Sequence, residues 1–133
     1  MGNRTFYPSF ASGLQRVFME FELLGAGASA LTIPTAGGGL PWVASISRSG
    51  VGVYVVTMKD AWNKVISKGC DLDDTLNDGG YCTMGNITNE GTATPLLFTV
   101  YVRTAGGVAA DAAAARRIAV KLTLRNGVAS QGG

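Results

Sequence analysis

Histidine is absent from this sequence, and charged side chains make up only 15% of it. The missing imidazole removes the commonest general base, together with Ser-His and Cys-His nucleophile pairs. Any catalysis would fall to carboxylates, lysine or tyrosine. The two cysteines, Cys70 and Cys82, supply half a tetrahedral zinc shell and nothing completes it. Charge is low against the roughly 25% of ordinary soluble domains. The net charge is +2, the basic residues are scattered, and the tightest pair, Arg116-Arg117, has no aromatic neighbours. Nucleic acid is therefore not an expected partner. A long apolar run is also lacking. Glu22 to Arg48 encloses no charge, but Pro34, Pro41 and Gly37-Gly38-Gly39 break it, and a spanning helix needs about 20 apolar residues. Arg4 is followed by no apolar stretch of the signal-peptide kind. Phe6 stands where an N-myristoylation start needs Ser or Thr. No membrane partner is expected.

What the chain does have is apolar content, 47%, and 19 glycines in 133 residues. That length suits one domain with one core. A weakly charged Gly/Ala-rich surface fits a subunit packed against others; the alternative is a stable monomer with a bland surface. The clearest pattern is period-2 alternation, which sends successive side chains to opposite faces of a strand. Val17, Met19, Phe21 and Leu23 share one face, with Arg16, Phe18, Glu20 and Glu22 on the other. Ile118, Val120, Leu122 and Leu124 repeat the pattern against Lys121, Thr123 and Arg125. Val51 to Met58 and Leu96 to Arg103 are richer in β-branched and aromatic residues and read as central strands. Trp42 to Ile46 reads as a further strand turning at Ser49-Gly50, and Tyr81 to Met84 as a short one. The fold class expected is all-β, an antiparallel β-sandwich of jelly-roll-like form, with one or two short connecting helices.

Two segments supply those helices. Asp60 is placed to cap one, with Trp62, Val65 and Ile66 on one face and Gly69 beyond its end. Asp111, four alanines and Arg116-Arg117 suit the dipole of the other. Residues 1–12 carry Arg4, Phe6, Tyr7 and Phe10 around Pro8 and read either as an extended arm docking onto a neighbour or as an irregular first strand. Residues 13–127 form the sandwich domain and 128–133 a polar tail.

The remaining candidates for chemistry are weak. Asp71, Asp73, Asp74 and Asp78 gather in one turn-rich loop. Glycosidase chemistry needs carboxylates facing across a cleft, whereas Asp and Asn in such a loop ordinarily support turns. An EF-hand frame opened at Asp73 puts Asp78 where glycine belongs and Met84 where glutamate belongs; a looser oxygen-ligand site stays open. Gly25-Ala26-Gly27-Ala28-Ser29-Ala30 spells a dinucleotide fingerprint, but Pro34 follows closely and no helix is indicated. Asn3-Arg4-Thr5 and Asn86-Ile87-Thr88 are formal glycosylation sequons. Trp42 and Trp62 suit either a sugar platform or packing. No catalytic residue, cofactor or metal site is expected.

Gly50-Val51-Gly52-Val53-Tyr54-Val55-Val56-Thr57-Met58-Lys59-Asp60 and Arg117-Ile118-Ala119-Val120-Lys121-Leu122-Thr123-Leu124-Arg125-Asn126 together resemble small virion proteins of tailed bacteriophages, in particular capsid decoration or cement proteins. The resemblance spans about Arg48 to Asn126. It implies a non-enzymatic protein, made in the host bacterial cytoplasm, that sits on the capsid surface, often as a trimer, and bridges neighbouring major capsid proteins. Arg4, Phe6, Tyr7 and Phe10 are the expected contact residues. The alternative is a receptor- or carbohydrate-binding module of a phage fibre or tail.

Overall fold

A computed structural model describes residues 15–33, 42–73 and 76–126. Among the described residues seven strands run in chain order: β1 (Gln15–Leu24), β2 (Val43–Gly50), β3 (Val53–Met58), β4 (Lys64–Leu72), β5 (Tyr81–Thr88), β6 (Leu97–Arg103) and β7 (Arg117–Asn126). They form a three-stranded sheet, β1-β7-β4, and a four-stranded sheet, β2-β3-β6-β5. Every pairing is antiparallel. The expected β-sandwich is the architecture.

Alternation explains which faces meet. Met19, Phe21 and Leu23 of β1 and Ile118, Val120, Leu122 and Leu124 of β7 are buried on the inner face of the first sheet. Tyr54, Val56 and Met58 of β3, with Phe98, Val100 and Val102 of β6, answer them from the second. Side chains of this size contribute about 1.5–3 kcal/mol each when fully buried. β3 and β6 are central in their sheet, as their composition indicates. Phe21 and the half-buried Trp42 pack ring against ring at 6.4 Å, tilted by 43°.

Three expectations are corrected. The Asp60–Gly69 segment is not a helix; from Lys64 on it is the first part of β4, which pairs with β7. A register shift between Val65 and Ser67 places Ile66 in a bulge. Two adjacent apolar residues at that bulge, plus Trp62, imitate the spacing of a helical face. Here strand pairing outweighs local pattern, as β-branched Val65 and Ile66 favour. The Asp111–Arg117 segment is not helical either: Ala115 has a positive φ of 65°, and the polar groups that would cap a helix are engaged elsewhere. No helix is present among the described residues, so none there is long and apolar enough to cross a membrane. Finally, the β2–β3 turn lies at Val51-Gly52 and not at Ser49-Gly50. Residues 1–12 and 128–133 lie outside the described residues.

Candidate functional site

β1, β2, β4 and β6 all finish at one end of the sandwich, and the loops that follow them meet there. The longest described loop, residues 104–116, joins β6 to β7 and crosses from one sheet to the other. Backbone hydrogen bonds stitch it to its surroundings. Gly25 donates to the Arg116 carbonyl at 2.8 Å, Ala115 donates to the Gly25 carbonyl at 2.8 Å, and Gly27 donates to the Ala112 carbonyl at 3.0 Å. A Cβ on Gly25 would stand 2.3 Å from the Ala113 carbonyl oxygen. The dinucleotide-like spelling therefore serves close chain packing, and the space a phosphate would need is filled by protein.

Two arginine–aspartate clusters fasten this crossing. In the first, Arg48 of β2 donates to both Asp111 carboxylate oxygens, Nε at 3.0 Å and Nη2 at 2.8 Å. Asp111 also accepts from the Gly52 amide at 2.8 Å and from the Tyr54 hydroxyl at 3.3 Å. The Tyr54 hydroxyl in turn accepts from the Ala112 amide at 2.9 Å. These bonds hold Asp111 near a pKa of about 2, chiefly through the Arg48 guanidinium and then the Gly52 amide. Burial pushes the Tyr54 phenol up. This is why the alanine run does not coil: Asp111 and Ala112 make tertiary bonds that a helix of about two turns cannot match.

In the second cluster, Arg116 is buried, its side chain only 7% exposed. Its Nη1 and Nη2 donate to the two Asp78 oxygens at 3.0 and 2.9 Å, and its Nε donates to the Asp73 carbonyl at 2.9 Å. The bonds from Arg116, and then from the Gly80 amide, lower the Asp78 pKa. Arg117 reaches the Asp73 carboxylate at 3.4 Å and Glu22 at 3.6 Å. The acidic loop is thus tied down by Arg116 and Arg117, with Asp73 and Asp78 as its anchors. Among the described residues no group of three or more His, Cys, Asp or Glu side chains could hold a metal ion.

Acid should loosen both clusters. A carboxylate whose folded pKa lies below its unfolded value contributes stability above the unfolded pKa, and that contribution disappears as pH falls through the folded one. For Asp111 the window runs from about 4 down to about 2. Melting temperatures measured from about pH 7 to about pH 2 should be flat at first and fall below about pH 4. Asp111→Asn should lower the plateau and flatten the acid limb; an acid limb as steep as wild type would show that Asp111 is not responsible.

Beside these paired charges, the loop end presents apolar side chains outward. Val51 is 54% exposed, Leu76 56%, Tyr81 40% and Val108 65%. They come from the β2–β3 turn, the β4–β5 loop, the start of β5 and the β6–β7 crossing. The carriers are neighbours. A Cβ on Gly107 would be 3.7 Å from the Tyr81 hydroxyl, one on Gly79 would be 3.0 Å from the Ala105 Cβ, and Gly52 abuts Ala110. Among the described residues the other exposed large apolar side chains, Phe18 at 74% and Ile66 at 41%, lie on the three-stranded sheet.

No family model, curated protein or solved structure matches this chain. The reading of the site therefore stands on its chemistry. Rigid loops with solvent-facing apolar groups suit recognition of another surface.

The sequence-predicted contact residues Arg4, Phe6, Tyr7 and Phe10 lie outside the described residues. Trp62 is buried in the core and Trp42 is partly buried against it, so the pair does not form an open platform for a sugar. Asn86, of the second sequon, is exposed at the β5 bulge with φ 51°. Sequence reading passes over Arg48, Tyr54, Val108 and Leu76. Arg48 and Asp111 are 63 positions apart, and no local spacing signals such a pair.

Proposed function

We propose that this chain is a non-enzymatic virion structural protein of a tailed bacteriophage, a capsid decoration protein that attaches to the assembled shell and stabilises it. The observation that carries the attachment reading is the apolar loop end of Val51, Leu76, Tyr81 and Val108, held rigid by the Arg48–Asp111 and Arg116–Asp78 clusters. The assignment to a capsid comes from the resemblance of the β3 and β7 segments. A small apolar patch gains little from one contact and much from many identical ones, and a shell supplies that repetition. Gln15, the first residue of β1, stands at the end of the sandwich opposite these loops.

The test is sedimentation with assembled shells of the phage that encodes the chain. The expected result is saturable binding in a fixed ratio to the major capsid protein, from a protein that is trimeric in solution. Val108→Asp combined with Leu76→Asp should weaken binding at least about tenfold, with an unchanged melting temperature, because exposed surface changes rarely disturb folding. Deleting residues 1–12 tests the arm in the same assay. Absence of binding to shells, with binding to glycans or host cells instead, would replace this reading with that of a fibre or tail module.

A further inference from the structure

The β4–β5 side of the sandwich carries a feature that attachment does not use. β4 is the edge of the three-stranded sheet and β5 the edge of the four-stranded one. The two strands pack against each other without a backbone ladder between them. Cys70 lies opposite Val120 in the β4–β7 register, and Cys82 opposite Val102 in the β5–β6 register. Val120 and Val102 both face the core, and so do the two cysteines: Cys82 is buried, and Cys70 is partly buried against the same cluster. The thiols come from different sheets, and Cys70 is near enough to Cys82 to push its thiol pKa up. Both are free.

We propose that Cys70 and Cys82 are an oxidation site, closing to an intramolecular disulfide that joins the two sheets where no backbone hydrogen bonds do. Low-molecular-weight disulfides are the oxidant class. The more accessible Cys70 thiolate attacks one sulfur of the oxidant, breaking its S–S bond, and the released thiolate takes up a proton. Cys82 then gives up its proton and attacks the Cys70 sulfur of the mixed disulfide, expelling the second small thiol, which takes that proton. Two protein thiols are oxidised to one disulfide, and one small disulfide is reduced to two thiols. Order matters here: Cys70 and burial hold the Cys82 thiol well above the ordinary range, which leaves Cys82 a poor first attacker and suits it to the second, intramolecular step.

The full chain is equilibrated with mixtures of reduced and oxidised glutathione, quenched in acid, alkylated and weighed intact. The expected course is from two alkylatable thiols to none, as a monomeric chain, with no glutathione retained at the oxidised end. Melting temperature should rise by about 5–15 °C on oxidation, since the bond constrains the unfolded chain, and return on reduction. Cys82→Ala should instead keep one glutathione on Cys70 and show no such rise. Because the wild-type titration alone decides the matter, a poorly folding variant costs nothing. Two free thiols persisting at the most oxidising ratio, a stable mixed disulfide in wild type, or disulfide-linked dimers would each overturn the proposal.

Discussion

Gly52→Ala is expected to lower stability by about 3–5 kcal/mol, a third or more of what many domains of this size possess. Gly52 has φ +67°, a region where an L side chain is strained. Space is the heavier objection. An added Cβ would meet the Val102 carbonyl oxygen at 2.5 Å, the Ala110 carbonyl oxygen at 2.7 Å and the Ala110 nitrogen at 2.8 Å. All three are backbone atoms, one of them in a central strand, so no rotamer change relieves the clash. Moving the turn away would also stretch two hydrogen bonds, from the Gly52 amide to Asp111 and from the Val102 amide to the Gly52 carbonyl, both now 2.8 Å. Urea unfolding measures the loss directly. Gly50→Ala is the control: nothing lies within 4 Å of its would-be Cβ, and its φ is not positive. It should stay within about 0.5 kcal/mol of wild type. Equal losses for both variants would mean that the turn tolerates displacement and that the crossing above it is not tightly held.

Tyr54 should give the second large effect, in two separable parts. The residue is fully buried. Tyr54→Phe keeps the ring but leaves the Ala112 amide without its 2.9 Å acceptor and Asp111 without one donor. A buried donor left unpaired costs about 1–3 kcal/mol. Tyr54→Ala removes the ring as well and opens a cavity between the sheets, raising the total to about 4–6 kcal/mol by analogy with large aromatic truncations. If the phenylalanine variant matches wild type in urea, the hydroxyl relay from Asp111 to Ala112 contributes nothing and the crossing is held by other bonds.

Much of the sandwich is legible in the sequence because its information is local. In β1 and β7 every second residue is apolar, and a one-residue slip would turn that whole set to water. β3 and β6 announce their central positions through Val53 to Val56 and Leu97 to Val102. β4 is illegible for an equally local reason: the bulge at Ile66 interrupts its alternation, and Trp62 supplies a helical spacing by coincidence. The Asp111 segment misleads differently. Its alanines prefer a helix, but Arg48, Gly52 and Tyr54 compete from the other side of the chain's length, and no window of sequence contains them all. The candidate contact surface has the same character. Val51, Leu76, Tyr81 and Val108 are ordinary residues in separate loops, and only the fold assembles them.

The position of β7 has a consequence for how the protein is made. The four-stranded sheet is complete once Arg103 has been synthesised, whereas the three-stranded sheet lacks its middle member until Asn126 has followed. β1 and β4 have no pairing with each other, so among the described strands neither has its neighbour in that interval. At about 5–20 residues per second the wait lasts about one to five seconds. Throughout it, the Tyr54–Phe98 face of a finished sheet is uncovered at the ribosome, and the nascent chain is then most exposed to chaperones and to its own copies on the same message.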